Sequence, residues 1–321
     1  MMKKAIYSLA LPALLACSST QAAEQASGHS ITLVVPHAAG TGVDGVARGF
    51  APALEKALGT AIVVENRAGA NGAIGSMAVA RAAPDGHTLM LNANPPFITY
   101  PLTQKKPLYN PLRDFTPIAR VGTVPMVLVV SASSGIKNFA QFEEYIKNHP
   151  DIANYASPGS GSAGYLAMER LKTSQGIKIV EVLYKSTPQS LIDVSAGNVL
   201  AAFASVPAAI PLLQAGKLRP LAVGSAVRVA QLPEVPTLIE ATGQKDFLAV
   251  VWYGFFAPAK LPAPTLAKLY AATKQAFGAP STQQAMANLS IVPELQSPQA
   301  FRQTYEQDVS NAQKIMKATY H

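Results

Sequence analysis

The chain has 321 residues, of which 49% are hydrophobic and only 14% charged, with a formal net charge of +8 and one cysteine. That length buries a sizeable core in one large or two medium domains, and a single cysteine excludes an intramolecular disulfide or a multi-cysteine metal site. Charge this sparse, against roughly 25% in an average soluble chain, together with a mean hydropathy of +0.18, makes a membrane segment or an export signal the first question.

Residues 1–23 hold Lys3 and Lys4, an apolar run over residues 5–16 and a small-residue stretch over 18–23, the three-part layout of a secretory signal. The apolar run is too short to span about 30 Å of hydrocarbon. Thr20 and Ala22 occupy the two small positions a signal peptidase reads, so a signal peptide over residues 1–22 is expected. Leu14, Leu15, Ala16 and Cys17 also loosely match a lipoprotein site, which leaves acylation of Cys17 open. Both routes place the protein in the periplasm, and loss of Lys3 and Lys4 lowers the charge to +6. The longest later uncharged run, residues 194–216, contains Pro207 and Pro211, which would break a lipid-spanning helix. It reads as a buried strand and a short helix.

Along the chain, β-branched or apolar runs alternate with helical segments. The strand at 31–35 is followed by a helix over 45–58, the strand at 61–65 by a helix near 74–82, and the strand at 88–91 by a proline-rich loop. After Pro125 come a strand at 126–130, a helix at 139–148, a strand at 154–156 and a helix from about 162 to 173. Strand signals at 177–184, around Leu191, at 200–204 and at 218–223 continue the second half, with a helix running to 214. The last third offers one strand, 250–256, and helices near 264–277, 282–289 and 298–318. Strand then helix, repeated, predicts α/β architecture with mainly parallel sheets covered on both faces.

The sharpest short motif is Gly40-Thr41-Gly42-Val43-Asp44-Gly45, a literal G-x-G-x-x-G between strand and helix, with Glu65 at the end of the next strand. A dinucleotide site needs the first glycine almost directly after the strand. Here residues 36–39 intervene, so the loop is too long, and the motif reads as an anion site formed by the amides of a helix N-terminus. No cofactor is expected. A second small-residue loop, residues 156–164, also leads from a strand into a helix and leaves backbone N–H groups open to a ligand. Two such loops can grip one carboxylate from both sides.

Asp44 sits beside this anion site and fits a helix N-cap better than a direct contact. His37 is placed either to donate to an anion or to stack. Tyr165, Phe97 and Trp252 suit a cleft wall or a core, His87 lies in a Pro-Asp-Gly turn, and Lys185 is either a second carboxylate's partner or an ordinary exposed lysine. There is no G-x-S-x-G elbow and no H-E-x-x-H spacing to carry hydrolysis. The pI near 9.5 comes without the basic stripe of a nucleic-acid binder, so neither catalysis nor nucleic-acid binding is expected.

The chain resembles the extracytoplasmic solute-binding proteins of the tripartite tricarboxylate transporter family, also called Bug proteins. The resemblance is carried by residues 31–36, 64–72, 83–89, 154–157, 184–185, 215–223, 232–237 and 252–254. It implies a two-lobed periplasmic binding protein of type II with two crossover strands, lobe 1 comprising residues 27–122 and 226–321 and lobe 2 residues 123–225. It further implies a cleft that binds a small organic carboxylate (a mono- or dicarboxylate, aromatic acids included), delivery to integral-membrane permease subunits, and a monomer. The family's two carboxylate-pinching loops fall on His37, Gly40, Thr41, Gly42, Val43 and Asp44 and on Ser157, Ser160, Gly161, Ser162, Ala163 and Tyr165. Ser205 stands where the family often has an acidic or amide side chain, which argues for a ligand without an amine. A ligand sensor that partners a signalling receptor, or a periplasmic enzyme, is the alternative reading.

Overall fold

A computed structural model describes residues 30–159 and 161–320, with side chains described through 317. The expected signal segment, Cys17 and Ser160 lie outside the described residues. Strand β1 (Ile31–Val35) pairs in parallel with β2 (Ile62–Asn66) and β3 (Thr88–Ala93), crossing through α1 (Gly42–Leu58) and α2 (Ala73–Ala80). Helix α1 is amphipathic: Val43, Val46, Ala47, Phe50 and Leu54 recur at helical spacing and are buried, Thr41 caps its start, and Gly59 closes it at φ 64°. Helix α3 (Pro96–Thr103) occupies what the sequence reads as a proline-rich loop. Pro95 and Pro96 stand at its N-terminus, where a missing N–H costs nothing.

The chain then enters β4 (Phe115–Ser131), a 17-residue strand buried along its whole length. Its first half pairs antiparallel with β9 (Val250–Pro258) and β10 (Val292–Gln296). Its second half pairs antiparallel with β7 (Ala201–Ser205) and β8 (Leu218–Val223). Between β4 and β8 lie α4 (Phe139–Asn148), the parallel strands β5 (Asn154–Ser157) and β6 (Val180–Leu183), and helices α5 (Ala163–Gln175), α6 (Thr187–Ser195) and α7 (Val206–Gln214). After β8 come α8 (Leu238–Thr242), β9, α9 (Ala263–Phe277), α10 (Pro280–Asn288), β10 and α11 (Pro298–Tyr320). The strand order is β2-β1-β3-β9-β4-β7-β5-β6, with β10 and β8 also on β4. The sheet is therefore mixed: parallel strands form its outer thirds, and antiparallel β4 and β9 form its middle. Among the described residues no helix is long and apolar enough to cross a membrane.

Each lobe buries both faces of its sheet. In the first, Phe50, Leu54 and Phe255 pack under α1 and α9, while the opposite face holds Phe97, Tyr109, Phe115, Trp252, Phe256, Phe301 and Tyr305. In the second, Phe142, Tyr155, Tyr165 and Phe203 form one core, and Leu191, Val194 and Val223 the other. The expected lobe boundary at 225/226 moves. Leu238, Phe247 and Ala249 join the second lobe's core, and Val229 and Val235 its other cluster, so the return to the first lobe falls at Ala249–Val250. The crossing point is held by three short backbone bonds: Gly224 N–H to the Met126 carbonyl (2.7 Å), Ala249 N–H to the Gly224 carbonyl (2.8 Å) and Met126 N–H to the Ala249 carbonyl (2.9 Å). Only glycine fits there, because a Cβ on Gly224 would stand 2.1 Å from the Ala249 carbonyl oxygen. Helix α11 touches both lobes, with Phe301, Tyr305, Val309 and Ala312 in the first and Met316 in the second.

Candidate functional site

The carboxyl ends of the parallel strands in both lobes lead into the predicted loops, the usual location of ligands in such sheets. In the first lobe, the chain leaves β1, turns through residues 36–41 and enters α1. Thr41 is the N-cap, its Oγ1 accepting from the Asp44 N–H at 3.5 Å. This corrects the expectation that Asp44 is the cap: the helix begins three residues earlier, and Asp44 sits in its first turn. The Asp44 carboxylate folds back on its own loop, accepting from Gly40 N–H (2.9 Å), Arg48 Nε (3.0 and 3.1 Å) and Asn66 Nδ2 (2.9 Å). Asn66 also donates to the His37 carbonyl at 3.1 Å. Burial pushes the Asp44 carboxyl up, but the donors from Gly40, Arg48 and Asn66 outweigh it and hold the group below its ordinary range. Asp44 is thus a permanent anion that braces the loop from inside.

His37 is half-buried and its Nε2 lies 3.0 Å from Asn92 Oδ1. The Asn92 amide is oriented by its neighbours: Oδ1 accepts from Ala93 N–H, and Nδ2 donates to Ser76 Oγ. Nε2 therefore carries the imidazole proton, an assignment made from the network. Burial lowers the His37 pKa, with the Asn92 bond opposing, so near neutral pH the ring is uncharged and its one N–H is taken. The loop's other donors include the N–H groups of Gly42 and Val43, the first helical positions of α1, which have no intrahelical acceptor. The Val43 side chain is core, and the Tyr253 hydroxyl lies against Gly42.

In the second lobe, Ser157 ends β5. Its hydroxyl donates to Glu181 Oε1 at 2.6 Å and accepts from Gly159 N–H at 2.8 Å, so it shapes the turn from beneath. Ser162 caps α5, with Oγ accepting from Tyr165 N–H at 3.2 Å and its own N–H donating to the Gly159 carbonyl at 3.1 Å. The amides of Ala163 and Gly164 are left as the first-turn donors. The Tyr165 side chain is 2% exposed within the second lobe's core and does not line a cleft. Phe97 is likewise core, stacked on Tyr305 at 5.8 Å, and Trp252 is fully buried. Ser205 ends β7 half-buried, at the start of α7. His87 stays in its turn, where its N–H donates to Asp85 Oδ1, and Lys185 is exposed.

The lobes meet at the second loop. Thr99 Oγ1, on α3, lies 3.2 Å from the Gly161 carbonyl. Beside this contact a cavity of about 230 Å³ is walled by Asn71, Pro96, Thr99, Tyr100 and Thr103 on one side and Pro158, Gly159, Gly161 and Ser162 on the other. The second predicted loop lines it; the first, residues 37–44, does not, and its neighbour Asn71 reaches the wall instead. Asn66, Arg48, Asn92 and Thr99 were missed by the sequence reading. Asn66 and Asn92 had a usable signal, since each is a polar residue at or near the carboxyl end of a predicted parallel strand. Arg48 had one too, since it stands four residues after Asp44 on the same helix, the spacing of a helical ion pair; Thr99 had none, because its contact with Gly161 is tertiary.

The chain matches the model of the tripartite tricarboxylate transporter family receptor over residues 46–320. A UPF0065 protein in the tcbD-tcbE intergenic region of Pseudomonas sp. (strain P51) is 31% identical over 314 residues, covering 98% of this chain and 93% of that protein. Among solved structures, a TctC solute binding protein from Polaromonas is similar with a TM-score of 0.81 at 26% identity, covering 91% of this chain and 99% of the other. MatC from Rhodopseudomonas palustris with bound malate has a TM-score of 0.68 at 29% identity (89% and 98% covered). A further R. palustris protein with adipate has 0.69 at 31% (90% and 96%).

Proposed function

The chain belongs to the tripartite tricarboxylate transporter receptor family, a family of solute receptors and not of enzymes, and from that premise we propose that it captures a small organic carboxylate between its lobes in the periplasm. The ligand carboxylate is taken by the first-turn amides Gly42 and Val43 of α1 and Ala163 and Gly164 of α5, two helix N-termini on opposite lobes. That pair of capped N-termini is the observation that carries the reading, since each offers oriented N–H donors and the positive end of a helix dipole without a charged side chain. Each charge-assisted bond contributes roughly 1.5–3 kcal/mol, enough for three or four to hold a small anion. Closure of the lobes expels water and strengthens those bonds. The relatives that bind malate and adipate support a dicarboxylate or a similar acid. The chain then serves integral-membrane permease subunits as a monomer, without cofactor or turnover, after export by its N-terminal signal.

A thermal-shift panel of mono-, di- and aromatic carboxylates tests this. A ligand at 100 times its dissociation constant adds roughly 2.7 kcal/mol of stability, so at least one acid should raise Tm by several degrees. If no carboxylate in a broad panel moves Tm, the reading is wrong; if the stabilising acid is chemically converted on incubation, the protein is an enzyme.

A further inference from the structure

The first loop carries a polar atom to which carboxylate capture gives no task, Nδ1 of His37. We propose, resting on the carboxylate reading above, that this nitrogen accepts a hydrogen bond from a hydroxyl of the ligand, so that the acid taken between the lobes is a 2-hydroxycarboxylate.

The network under the ring fixes which nitrogen is the acceptor. His37 Nε2 lies 3.0 Å from Asn92 Oδ1. The Asn92 amide has one orientation, because Oδ1 also accepts the Ala93 N–H at 2.8 Å while Nδ2 donates to Ser76 Oγ at 3.2 Å. Nε2 is therefore the protonated nitrogen, and Nδ1 keeps its lone pair. Burial lowers the His37 pKa, which preserves that state near neutral pH. Nδ1 itself has no hydrogen-bond partner among the described residues. Among their buried and half-buried side chains, Arg120 Nε alone is both unpartnered and sealed from water, so Nδ1 is open to solvent.

Its place in the fold puts this acceptor at the ligand. The ring packs beside Gly72, where a Cβ would stand 3.9 Å from Cε1, and the adjoining Asn71 walls the interlobe cavity. Asn66 Nδ2 donates both to the His37 carbonyl at 3.1 Å and to Asp44 Oδ1 at 2.9 Å, which ties His37 to the first turn of α1. The acceptor and the Gly42 and Val43 amides thus belong to one small site. A hydroxyl on the carbon next to the bound carboxylate is the nearest donor an acid can offer there.

The loop's charges select a neutral donor over an ammonium. Asp44 is the only acid in residues 36–45, and its oxygens are taken by Gly40, Arg48 and Asn66. No carboxylate of the loop is left to pair with a positive charge. A keto group or a second carboxylate at the same place offers acceptors alone, and would set lone pairs against the lone pair of Nδ1.

The test is isothermal titration calorimetry of the full chain with acids that differ only at carbon 2: malate, succinate and aspartate in one set, lactate and propionate in another, mandelate and phenylacetate in a third. In at least one set the hydroxy acid should bind about fivefold tighter than its unsubstituted counterpart, the effect of one neutral hydrogen bond. That ratio should fall to about one in His37→Phe, which keeps a ring and deletes the acceptor. It should stay above one in His37→Gln, which retains an amide donor for Asn92 and a carbonyl acceptor. A substitution that merely loosened the loop would weaken both acids alike and leave the ratio unmoved. If His37→Phe does not fold, nitrogen-15 NMR of the native protein carries the comparison: the His37 Nδ1 resonance should move with the hydroxy acid and hold still with its unsubstituted counterpart. Equal binding within every set, binding of none of these acids, tighter binding of aspartate than of malate, or a preference that survives in His37→Phe overturns the proposal. Carboxylate capture is judged separately by the thermal-shift panel, where a stabilising acid without any hydroxyl preference leaves it standing.

Discussion

Replacing Asp44 by alanine removes the acceptor around which the first loop is organised. The Gly40 N–H and the Asn66 amide each lose a charge-assisted bond of 2.9 Å, at about 1.5 kcal/mol each when the low end of the range is used. The Arg48 pair adds little, because the arginine side chain is 53% exposed and water replaces the carboxylate. The expected loss is roughly 3 kcal/mol, and with an unfolding entropy of about 2.1 cal/mol/K per residue, which for a chain of this length gives about 1.5 °C per kcal/mol, Tm falls by about 4–5 °C. The loop residues lose their fixed course as well, so affinity for the stabilising carboxylate falls by about tenfold or more. Differential scanning calorimetry with and without ligand measures both. Arg48→Ala is the control and should change Tm by no more than 1–2 °C. If Asp44→Ala leaves both Tm and affinity within error of the native protein, the carboxylate is not the brace described here. The pH dependence follows with its sign. Asp44 is held below its ordinary value of 3.8, so its contribution is complete above about pH 4 and is lost as pH falls through the lower folded-state value. Asp44→Asn should flatten that acid limb of the stability curve.

Gly161→Ala places a Cβ at φ 88° and 2.8 Å from Thr99 Oγ1; it should lower Tm and weaken carboxylate binding together, read by the same calorimetry. Thr99→Val deletes, at nearly constant volume, the hydroxyl shared between the Pro95 carbonyl of its own helix (3.1 Å) and the Gly161 carbonyl of the other lobe (3.2 Å), so small-angle scattering should show a larger radius of gyration without ligand and the native value with saturating ligand. Gly224→Ala drives a methyl into the Ala249 carbonyl at 2.1 Å; overpacking of this kind costs about 1–3 kcal/mol, seen as a drop in Tm, and an unchanged melt would show that the crossing is slack. Ser162→Ala removes the α5 cap, worth about 1 kcal/mol, and should reduce Tm by about 1–2 °C while weakening the ligand less than Gly161→Ala does.

Local pattern was enough for much of the architecture. Apolar runs such as residues 31–35 and helical spacing such as Val46, Phe50 and Leu54 specify their elements through nearest-neighbour geometry, and two small-residue stretches between strand and helix mark two helix N-termini. The resemblance between the sequence and a receptor family was legible in the same way, as short motifs in order. What pairs with what was not legible. β4 reads from sequence as a strand beginning after Pro125, yet it runs from Phe115 through two prolines because β9, β10, β7 and β8 satisfy it from both sides. Residues 226–249 carry no mark of their lobe; only the docking of Leu238 and Phe247 against the second core assigns them. At the site, sequence could place a carboxylate, an imidazole and hydroxyls near an anion loop, but a side chain's direction depends on partners far along the chain. Asn66, 22 residues on, turns Asp44 inward, Asn92, 55 residues on, takes the proton of His37, and Glu181 draws Ser157 beneath its turn. The sequence by itself determined where the backbone amides emerge, since a helix N-terminus is a local object. Tertiary structure alone decided how these side chains are committed, because hydrogen bonds between distant residues form only once the sheet has brought the strand ends together.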